Sequence, residues 1–200
     1  MLALSQADTG ESYDLGMAWN VDGVAGESRY LKLLYSDAAG VLLAQFERKV
    51  SDGGLVRSLY VREREATEYR RVFGGHDYRS AHDVVLSPSS SIAFFLELAR
   101  RKENPCGFDV ARIARLDLRT CEVTTALDMK VYADKNDDGW VSDLIDVDDD
   151  DKTLLCRTAA WRSPKHGDGP RLGGVGYSLS RVNVDTAEVH PIAYLPRIAF

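Results

Sequence analysis

The sequence predicts an all-β protein built from three repeats of one four-stranded antiparallel unit. The first observation is a motif that occurs twice: residues 115–127 (RLDLRTCEVTTAL) return 66 residues later as residues 181–193 (RVNVDTAEVHPIA). Each copy alternates apolar and polar residues on both sides of a Thr-x-Glu turn, which is typical of a β-hairpin. Repetition at this scale indicates one supersecondary unit that is used several times.

The second observation is another hairpin motif that precedes each copy of the first. Residues 84–96 (VVLSPSSSIAFFL) and 144–156 (LIDVDDDDKTLLC) both have the pattern strand, polar turn, strand. Residues 33–45 have the same pattern, and an alternating stretch follows them at 55–69. These hairpins divide a single domain, residues 1–200, into three units of about 28–74, 80–129 and 141–195. Two further strand-like pieces, Tyr13–Asn20 and Arg197–Phe200, lie outside the units.

The third observation concerns the strands within a unit. The inner strands are apolar runs such as residues 92–96, whereas the outer strands alternate, as in residues 113–118. This gradient predicts sheets that are buried on both faces near their first strands and half exposed at their last. Residues 92–102 could also be drawn as a helix, but the polar turn before them and their match with residues 154–161 favour a strand.

Composition limits the classes of function. The chain is 44% hydrophobic and 28% charged, with a net charge of −6, which argues against nucleic-acid binding because phosphate contacts need clustered Lys and Arg. No apolar run reaches the ~18 residues of a membrane helix, and residues 1–8 lack the basic region of a signal peptide. The three cysteines are widely spaced, which is typical of a reducing compartment. We therefore expect a cytoplasmic protein without nucleic-acid or membrane partners.

The repeated motifs resemble those of a known repeat family. Residues 86–94 (LSPSSSIAF) are similar to the repeat of TolB-like β-propellers, usually SPDGKxIAF, and residues 116–123 (LDLRTCEV) are similar to its outer hairpin, usually DLxTGEV. The resemblance implies that each unit is one propeller blade. The sequence differs from the family at the turn glycines: Ser89-Ser90, Asp150-Asp151 and Ala39-Gly40 replace Asp-Gly, and Cys121 and Ala187 replace Gly.

Three blades pose a structural problem. A closed propeller typically has four to eight blades, and three would leave sheet edges that recruit other chains. We therefore expect a homodimer that completes a six-bladed ring, or a protein partner. Alternatively, the terminal strand at 197–200 could pair with the N-terminal segment and close the edges within one chain.

Residues 134–143 (DKNDDGWVSD) contain Asp-x-Asn-x-Asp-Gly, the opening of a calcium loop. Alternate side chains can converge on one cation there, and Gly139 allows the sharp turn. Because Ile145 occupies the twelfth position instead of Glu, the motif resembles the short loops of calcium-binding propellers more than an EF-hand. The predicted Ca²⁺ ligands are Asp134, Asn136, Asp138, Trp140, Ser142 and Asp143, with Asp146 as an alternative last ligand. The other interpretation is an acidic, solvated turn.

Two His-Asp pairs, His76-Asp77 and His82-Asp83, occur where the chain enters the second unit. In the propellers that this chain resembles, this loop lies over the central channel, where ligands bind. The four residues are therefore candidates for a metal or acid–base site. Alternatively, Gly75-His76 makes structural hydrogen bonds, as the Gly-His of WD-repeat propellers does.

These observations leave two functional hypotheses. The sequence contains no Gly-x-Ser-x-Gly and no Ser or Cys with a recognisable partner, so a non-catalytic scaffold that docks a protein partner through its loops is favoured. The alternative is an enzyme or carbohydrate-binding propeller that uses the channel-face His and Asp residues, with or without a metal.

Overall fold

The computed structural model describes residues 3–5, 12–14, 28–49, 55–66, 68–74, 79–100, 108–136, 138–162 and 174–195. Within these ranges the chain is mostly β-strand and forms three four-stranded antiparallel sheets. The predicted fold class is therefore confirmed. The strands of each sheet follow one another in chain order, so each sheet is a series of consecutive hairpins.

The elements fall close to the predicted units. A small antiparallel sheet pairs β1 (Ala3–Ser5) with β2 (Ser12–Asp14). The first sheet contains β3 (Ser28–Ser36), β4 (Val41–Lys49), β5 (Leu55–Glu63) and β6 (Arg70–Phe73). The second sheet contains β7 (Arg79–Leu86), β8 (Ile92–Arg100), β9 (Phe108–Asp117) and β10 (Val123–Asp128). After the helix α1 (Met129–Lys135), the third sheet contains β11 (Trp140–Val147), β12 (Thr153–Arg162), β13 (Gly174–Asn183) and β14 (Val189–Leu195).

The two strand-like pieces outside the units have different outcomes. The piece predicted at Tyr13–Asn20 overlaps β2, which ends at Asp14, and the next described residue is Ser28. Residues 197–200 lie outside the described ranges, so closure of the sheet edges by this segment stays a prediction.

The core consists of two apolar layers, one on each side of the second sheet. Successive residues of β8 enter different layers, because side chains alternate across a strand. Phe94 belongs to the layer shared with the third sheet, where it meets residues such as Leu154. Phe95 belongs to the layer shared with the first sheet, and its ring centroid lies 4.7 Å from that of Phe73. The apolar run of β8 is thus buried on both faces, as its sequence predicts.

The two copies of the repeated hairpin have the same turn. Asp117 Oδ1 accepts hydrogen bonds from the backbone N–H groups of Arg119 and Thr120, at 2.8 and 3.1 Å. Asn183 Oδ1 occupies the equivalent place and accepts from the second and third residues after it, at 3.0 Å each. Each turn then passes through the left-handed region, at Cys121 (φ 61°) and Ala187 (φ 58°). These are the positions where the resemblance expects glycine.

The helix α1 is an element that sequence reasoning did not predict. Asp128 caps it, because its Oδ1 accepts a hydrogen bond from Lys130 N at 2.8 Å. Met129 and Tyr132 are buried in the core layer that the second and third sheets share. Seven residues are too few to display helical periodicity, so the cap is the main signal. In the described ranges no helix is long and apolar enough to cross a membrane.

Candidate functional site

The first strand of each four-stranded sheet carries a register shift next to a charged residue. The shift lies before Lys32 in β3, after His82 in β7 and on both sides of Asp143 in β11. The strand β7 also lies beside β5 of the first sheet and β11 of the third. Bulges of this kind redirect side chains and are frequent at functional sites. We therefore take the polar groups around β7 as the candidate site.

His82 forms part of a closed hydrogen-bond network that joins the first sheet to the second. Arg57 Nε donates to Glu47 Oε2 at 3.0 Å, and Arg57 Nη1 lies 2.7 Å from His82 Nδ1. The other ring nitrogen, His82 Nε2, lies 3.0 Å from Ser80 Oγ. Glu47 and Ser80 are buried. The network therefore connects a buried carboxylate, a guanidinium, an imidazole and a buried hydroxyl.

The direction of these hydrogen bonds follows from the chemistry of arginine. A guanidinium can only donate, so His82 Nδ1 must be the acceptor. In the neutral ring, Nε2 then carries the hydrogen and donates it to Ser80 Oγ. Burial, and after it the Arg57 charge, lower the pKa of His82 to about 4, against an opposing effect of Glu47. His82 is thus neutral near pH 7.

This tautomer excludes a serine–histidine nucleophile. A general base must accept the hydroxyl proton, whereas His82 Nε2 donates to Ser80 Oγ. Ser80 is also fully buried, and its Oγ accepts a second hydrogen bond, from Arg57 N at 2.9 Å. The thiol of Cys156 is no better a nucleophile, because burial and then the Asp143 charge raise its pKa to about 12.

Asp83 lies beside His82 in sequence but has different partners. It has a left-handed backbone (φ 48°), which is uncommon for a residue within a strand. The Leu144 N–H donates to its carboxylate, and Lys32 Nζ donates to the neighbouring Val84 carbonyl at 2.7 Å. Burial, followed by the Asp143 charge, raises the pKa of Asp83. The structure thus brings Asp83 and Asp143 near each other across β7 and β11.

Asp143 is itself held by the third sheet. Arg157 Nε lies 2.5 Å from Asp143 Oδ2, and Ser142 Oγ donates to the same oxygen at 2.8 Å. The guanidinium of Arg157 also lies 5.5 Å from the ring centroid of Tyr177. This carboxylate is therefore neutralised by an arginine, while Asp83 interacts with positive charges from Arg57 and Lys32 at longer range.

The other two residues predicted for the channel loop, His76 and Asp77, lie outside the described residues. Of the predicted group of four, the structure describes His82 and Asp83. These two residues lie within β7 and not in a loop, because the strand already begins at Arg79. Sequence reasoning missed Glu47, Arg57 and Lys32. A usable signal was the position of Glu47 and Arg57 in strands with long apolar stretches, since buried charges are normally paired.

The six predicted calcium ligands are distributed over a helix, a turn and a strand. Asp134 is exposed on α1, and Asn136 Nδ2 donates to the carbonyls of Tyr132 and Ala187 at 2.9 and 3.0 Å. Asp138 follows in the turn with φ 56°, and Trp140, Ser142 and Asp143 belong to β11.

Two observations bear on how this segment could hold a cation. Among the described residues, no three His, Cys, Asp or Glu side chains form a group that could hold a metal ion. Asp143 is already paired with Arg157. Calcium also accepts backbone and amide oxygens, and calcium binding by this segment stays a prediction.

The similarities of this chain to known proteins are confined to solved structures. No protein-family model and no curated protein matches it. Among solved structures, it is similar to Pyrococcus horikoshii acylaminoacyl peptidase, with a TM-score of 0.54 at 13% identity over 86% of this chain. An acylaminoacyl peptidase bound to Z-Gly-Gly-Phe-chloromethyl ketone gives 0.53 at 14% identity over 86% of this chain.

The fold is propeller-like. The similar structures include the β-propeller domain of the trilobed protease from Pyrococcus furiosus, with a TM-score of 0.47 at 14% identity over 86% of this chain. The three sheets are four-stranded and antiparallel, with their strands in chain order, which is the form of propeller blades. This chain spans about a quarter of the peptidase chains (26% of each) and 44% of the trilobed protease propeller chain. Identities this low establish the fold alone.

Proposed function

We propose that this chain is a non-catalytic, propeller-type scaffold that binds a protein partner through its loops. The observation that carries the proposal is the closed hydrogen-bond network that runs from Glu47 through Arg57 and His82 to Ser80. Its hydrogen bonds occupy both nitrogens of the histidine and leave the serine buried. His82, a candidate acid–base residue in the sequence, therefore connects two sheets.

The variable loops are the proposed contact surface. The connections between the second and third strands differ strongly in the three units: residues 51–54, 102–107 and 163–173 have unrelated sequences and lengths. Loops that vary on a constant scaffold commonly carry binding specificity. All three segments lie outside the described residues, so their sequences alone support this part of the proposal.

Loop exchange tests the proposal. Each connection is replaced in turn by a short Gly-Ser linker, and partners of the tagged chain are quantified by mass spectrometry. We expect at least one exchange to remove a specific partner while the melting temperature stays within a few degrees of wild type. If all three exchanges retain the same partners, docking through the loops is wrong.

The alternative function is carbohydrate binding or catalysis on the channel face. The nearness of Asp83 and Asp143 supports it, because carboxylates in unlike environments can divide acid and base roles. In this case oligosaccharides should raise the melting temperature of the wild type but not of Asp83→Asn. The scaffold proposal expects no oligosaccharide shift in either protein and no substrate turnover.

A further inference from the structure

A cavity of about 260 Å³ lies where the chain leaves the first sheet and enters the second. It is lined by the end of β6 and the first residue of β7, namely Arg71, Val72, Phe73, Gly74 and Arg79. We call it the arginine cavity. Two of its described lining residues are arginines and none is acidic, although the whole chain has a net charge of −6. A positive cavity on an acidic protein indicates a ligand with negative charge.

Arg79 is held in place by a buried carboxylate. Its Nε lies 3.4 Å from Glu97 Oε1, and Glu97 is buried. The other oxygen of Glu97, Oε2, accepts a hydrogen bond from Arg112 Nε at 2.6 Å. The side chain of Arg79 is 54% exposed, and its Nη groups make no hydrogen bond among the described residues. The terminal donors of Arg79 are therefore oriented by the protein and accessible to a ligand.

The charges next to the cavity do not cancel. Glu97 shares its single negative charge between the guanidinium groups of Arg79 and Arg112, so one positive charge is in excess. Arg71 contributes a further guanidinium to the lining. Guanidinium groups present paired N–H donors in a planar fork, which matches the oxygens of phosphate and carboxylate groups. The arginine cavity thus has the charge and the donors of an oxyanion site.

A buried hydroxyl lies against the same lining. Gly74 has φ 83°, and a Cβ atom at this position would lie 2.7 Å from Ser58 Oγ and 2.9 Å from Ser58 Cα. Ser58 is 3% exposed, and its Oγ has no hydrogen-bond partner within the described ranges. Buried hydroxyl groups are normally hydrogen-bonded. Glycine at residue 74 therefore permits the close approach of an unused donor, Ser58 Oγ, to the cavity lining.

We propose that the arginine cavity binds a phosphate group, with Arg71 and Arg79 as its ligands. A phosphate monoester carries nearly two negative charges near pH 7 and three terminal oxygens, so it gains more from two guanidinium groups than a carboxylate does. The volume is below the ~300 Å³ of the smallest usual ligand pockets, which suits a phosphate group with a small substituent. The site does not involve the variable loops, so its failure and that of the proposed function are distinguishable.

Titration of the full chain with inorganic phosphate tests the site. Two-dimensional nitrogen–proton NMR spectra are recorded with up to about 30 mM phosphate, while sodium chloride keeps the ionic strength constant. The amide signal of Gly74 and the Nε signal of Arg79 should shift and saturate, with a dissociation constant of about 1 mM. Acetate, which carries one charge, should bind at least tenfold more weakly.

Three variants locate the binding. Arg71→Gln and Arg79→Gln should each raise the dissociation constant for phosphate at least tenfold, because each removes one charge and a fork of donors. The matched control is Arg70→Gln, since Arg70 is exposed in the same strand but its Nη2 donates to Cys121 Sγ at 2.6 Å. This control should bind phosphate within twofold of the wild type. Circular dichroism melts verify that each variant is folded.

A pair of peptides identifies the source of the phosphate group. A capped tripeptide with a central phosphoserine is compared with inorganic phosphate and with the same peptide without phosphate. Binding of the phosphopeptide at least tenfold more tightly than inorganic phosphate assigns the site to a phosphorylated side chain of a partner. Equal affinity assigns it to the free ion or a small phosphate ester, and both results support the site.

The proposal is overturned by any of three results. The first is the absence of saturable shifts at Gly74 and Arg79 up to about 30 mM phosphate at constant ionic strength. The second is an Arg70→Gln variant that weakens binding as much as Arg79→Gln, which would indicate an unspecific positive surface. The third is equal binding of phosphate and acetate, or of the two peptides.

Discussion

His82 illustrates how the environment of one side chain decides its chemistry. The imidazole accepts from Arg57 and donates to Ser80, so the same residue that suggests acid–base chemistry in sequence is fixed as a neutral connector. The sequence predicted His82 and Asp83 in the loop that enters the second unit, whereas the structure places them within the strand β7. It could not predict their partners, because Arg57 approaches from 25 residues away on another sheet.

The lowered pKa of His82 predicts acid sensitivity. Its pKa falls from 6.5 in the unfolded chain to about 4 in the folded protein, so the unfolded chain takes up the proton first as the pH falls. The stabilisation is complete above pH 6.5 and is lost as the pH falls from there towards 4. The melting temperature of the wild type should drop more steeply over this range than that of His82→Asn.

Asp83 provides the control for this experiment. Its raised pKa means that protonation stabilises the folded state, which opposes the effect of His82 as the pH falls. Asp83→Asn should therefore steepen the acid loss. Equal pH slopes for the wild type and His82→Asn would show that His82 does not control this sensitivity.

At the scale of elements, turns were predictable in position but only partly in chemistry. The Thr-x-Glu motif located the hairpins between the last two strands of the second and third sheets. In both hairpins an Asp or Asn four residues before the left-handed position fixes the turn by side-chain hydrogen bonds. Each of these turns is also joined to the turn between the first two strands of its sheet, by the backbone hydrogen bonds from Leu118 N to Ser91 O and from Val184 N to Lys152 O, both 2.8 Å. The helix α1 was missed because its cap, Asp128, looks like the last residue of an alternating strand.

The turn between β11 and β12 predicts a stabilising substitution. Asp151 has φ 55°, and its Oδ1 is buried with no hydrogen-bond partner within the described part of the chain. Asp151→Gly removes the left-handed strain, the unpaired oxygen and one charge from an acidic run. We expect a gain of about 1–2 kcal/mol in the free energy of unfolding, measured in urea.

A matched glycine substitution separates the causes. Asp149→Gly removes the same charge from the same turn at a position outside the positive-φ set, and it should stabilise less than Asp151→Gly or destabilise the protein. If both variants gain equally, charge repulsion and not backbone strain explains the effect.

Calcium binding by the segment from Asp134 to Asp143 is tested by melting. If the segment holds Ca²⁺, millimolar calcium should raise the melting temperature and a chelator should lower it. At a hundredfold excess over the dissociation constant, bound calcium raises the free energy of unfolding by about 2.7 kcal/mol. Asp134→Ala should remove this difference, and Asp149→Ala should retain most of it. Identical wild-type curves in calcium and chelator would leave the segment as an acidic turn after α1.

At the scale of the whole molecule, the second sheet holds the row together because it contributes to both core layers. Phe94 and Phe95 are both 0% exposed and adjacent in sequence, yet they stabilise different contacts: Phe94 packs towards the third sheet and Phe95 towards the first. Apolar runs in the sequence predicted burial on two faces. They could not predict which neighbour each face meets, because that depends on the order in which the sheets stack.

This arrangement predicts that neighbouring substitutions loosen opposite parts of the protein. Phe94→Ala and Phe95→Ala should each cost about 3–5 kcal/mol, as large-to-small core substitutions do. In a row of sheets with nearest-neighbour contacts, the loss should act mainly on the sheet that loses its contact. Hydrogen exchange should therefore show lost amide protection in β11–β14 for Phe94→Ala and in β4–β6 for Phe95→Ala. If both variants lose protection equally in the first and third sheets, the three sheets unfold as one cooperative unit and the two layers are not separable.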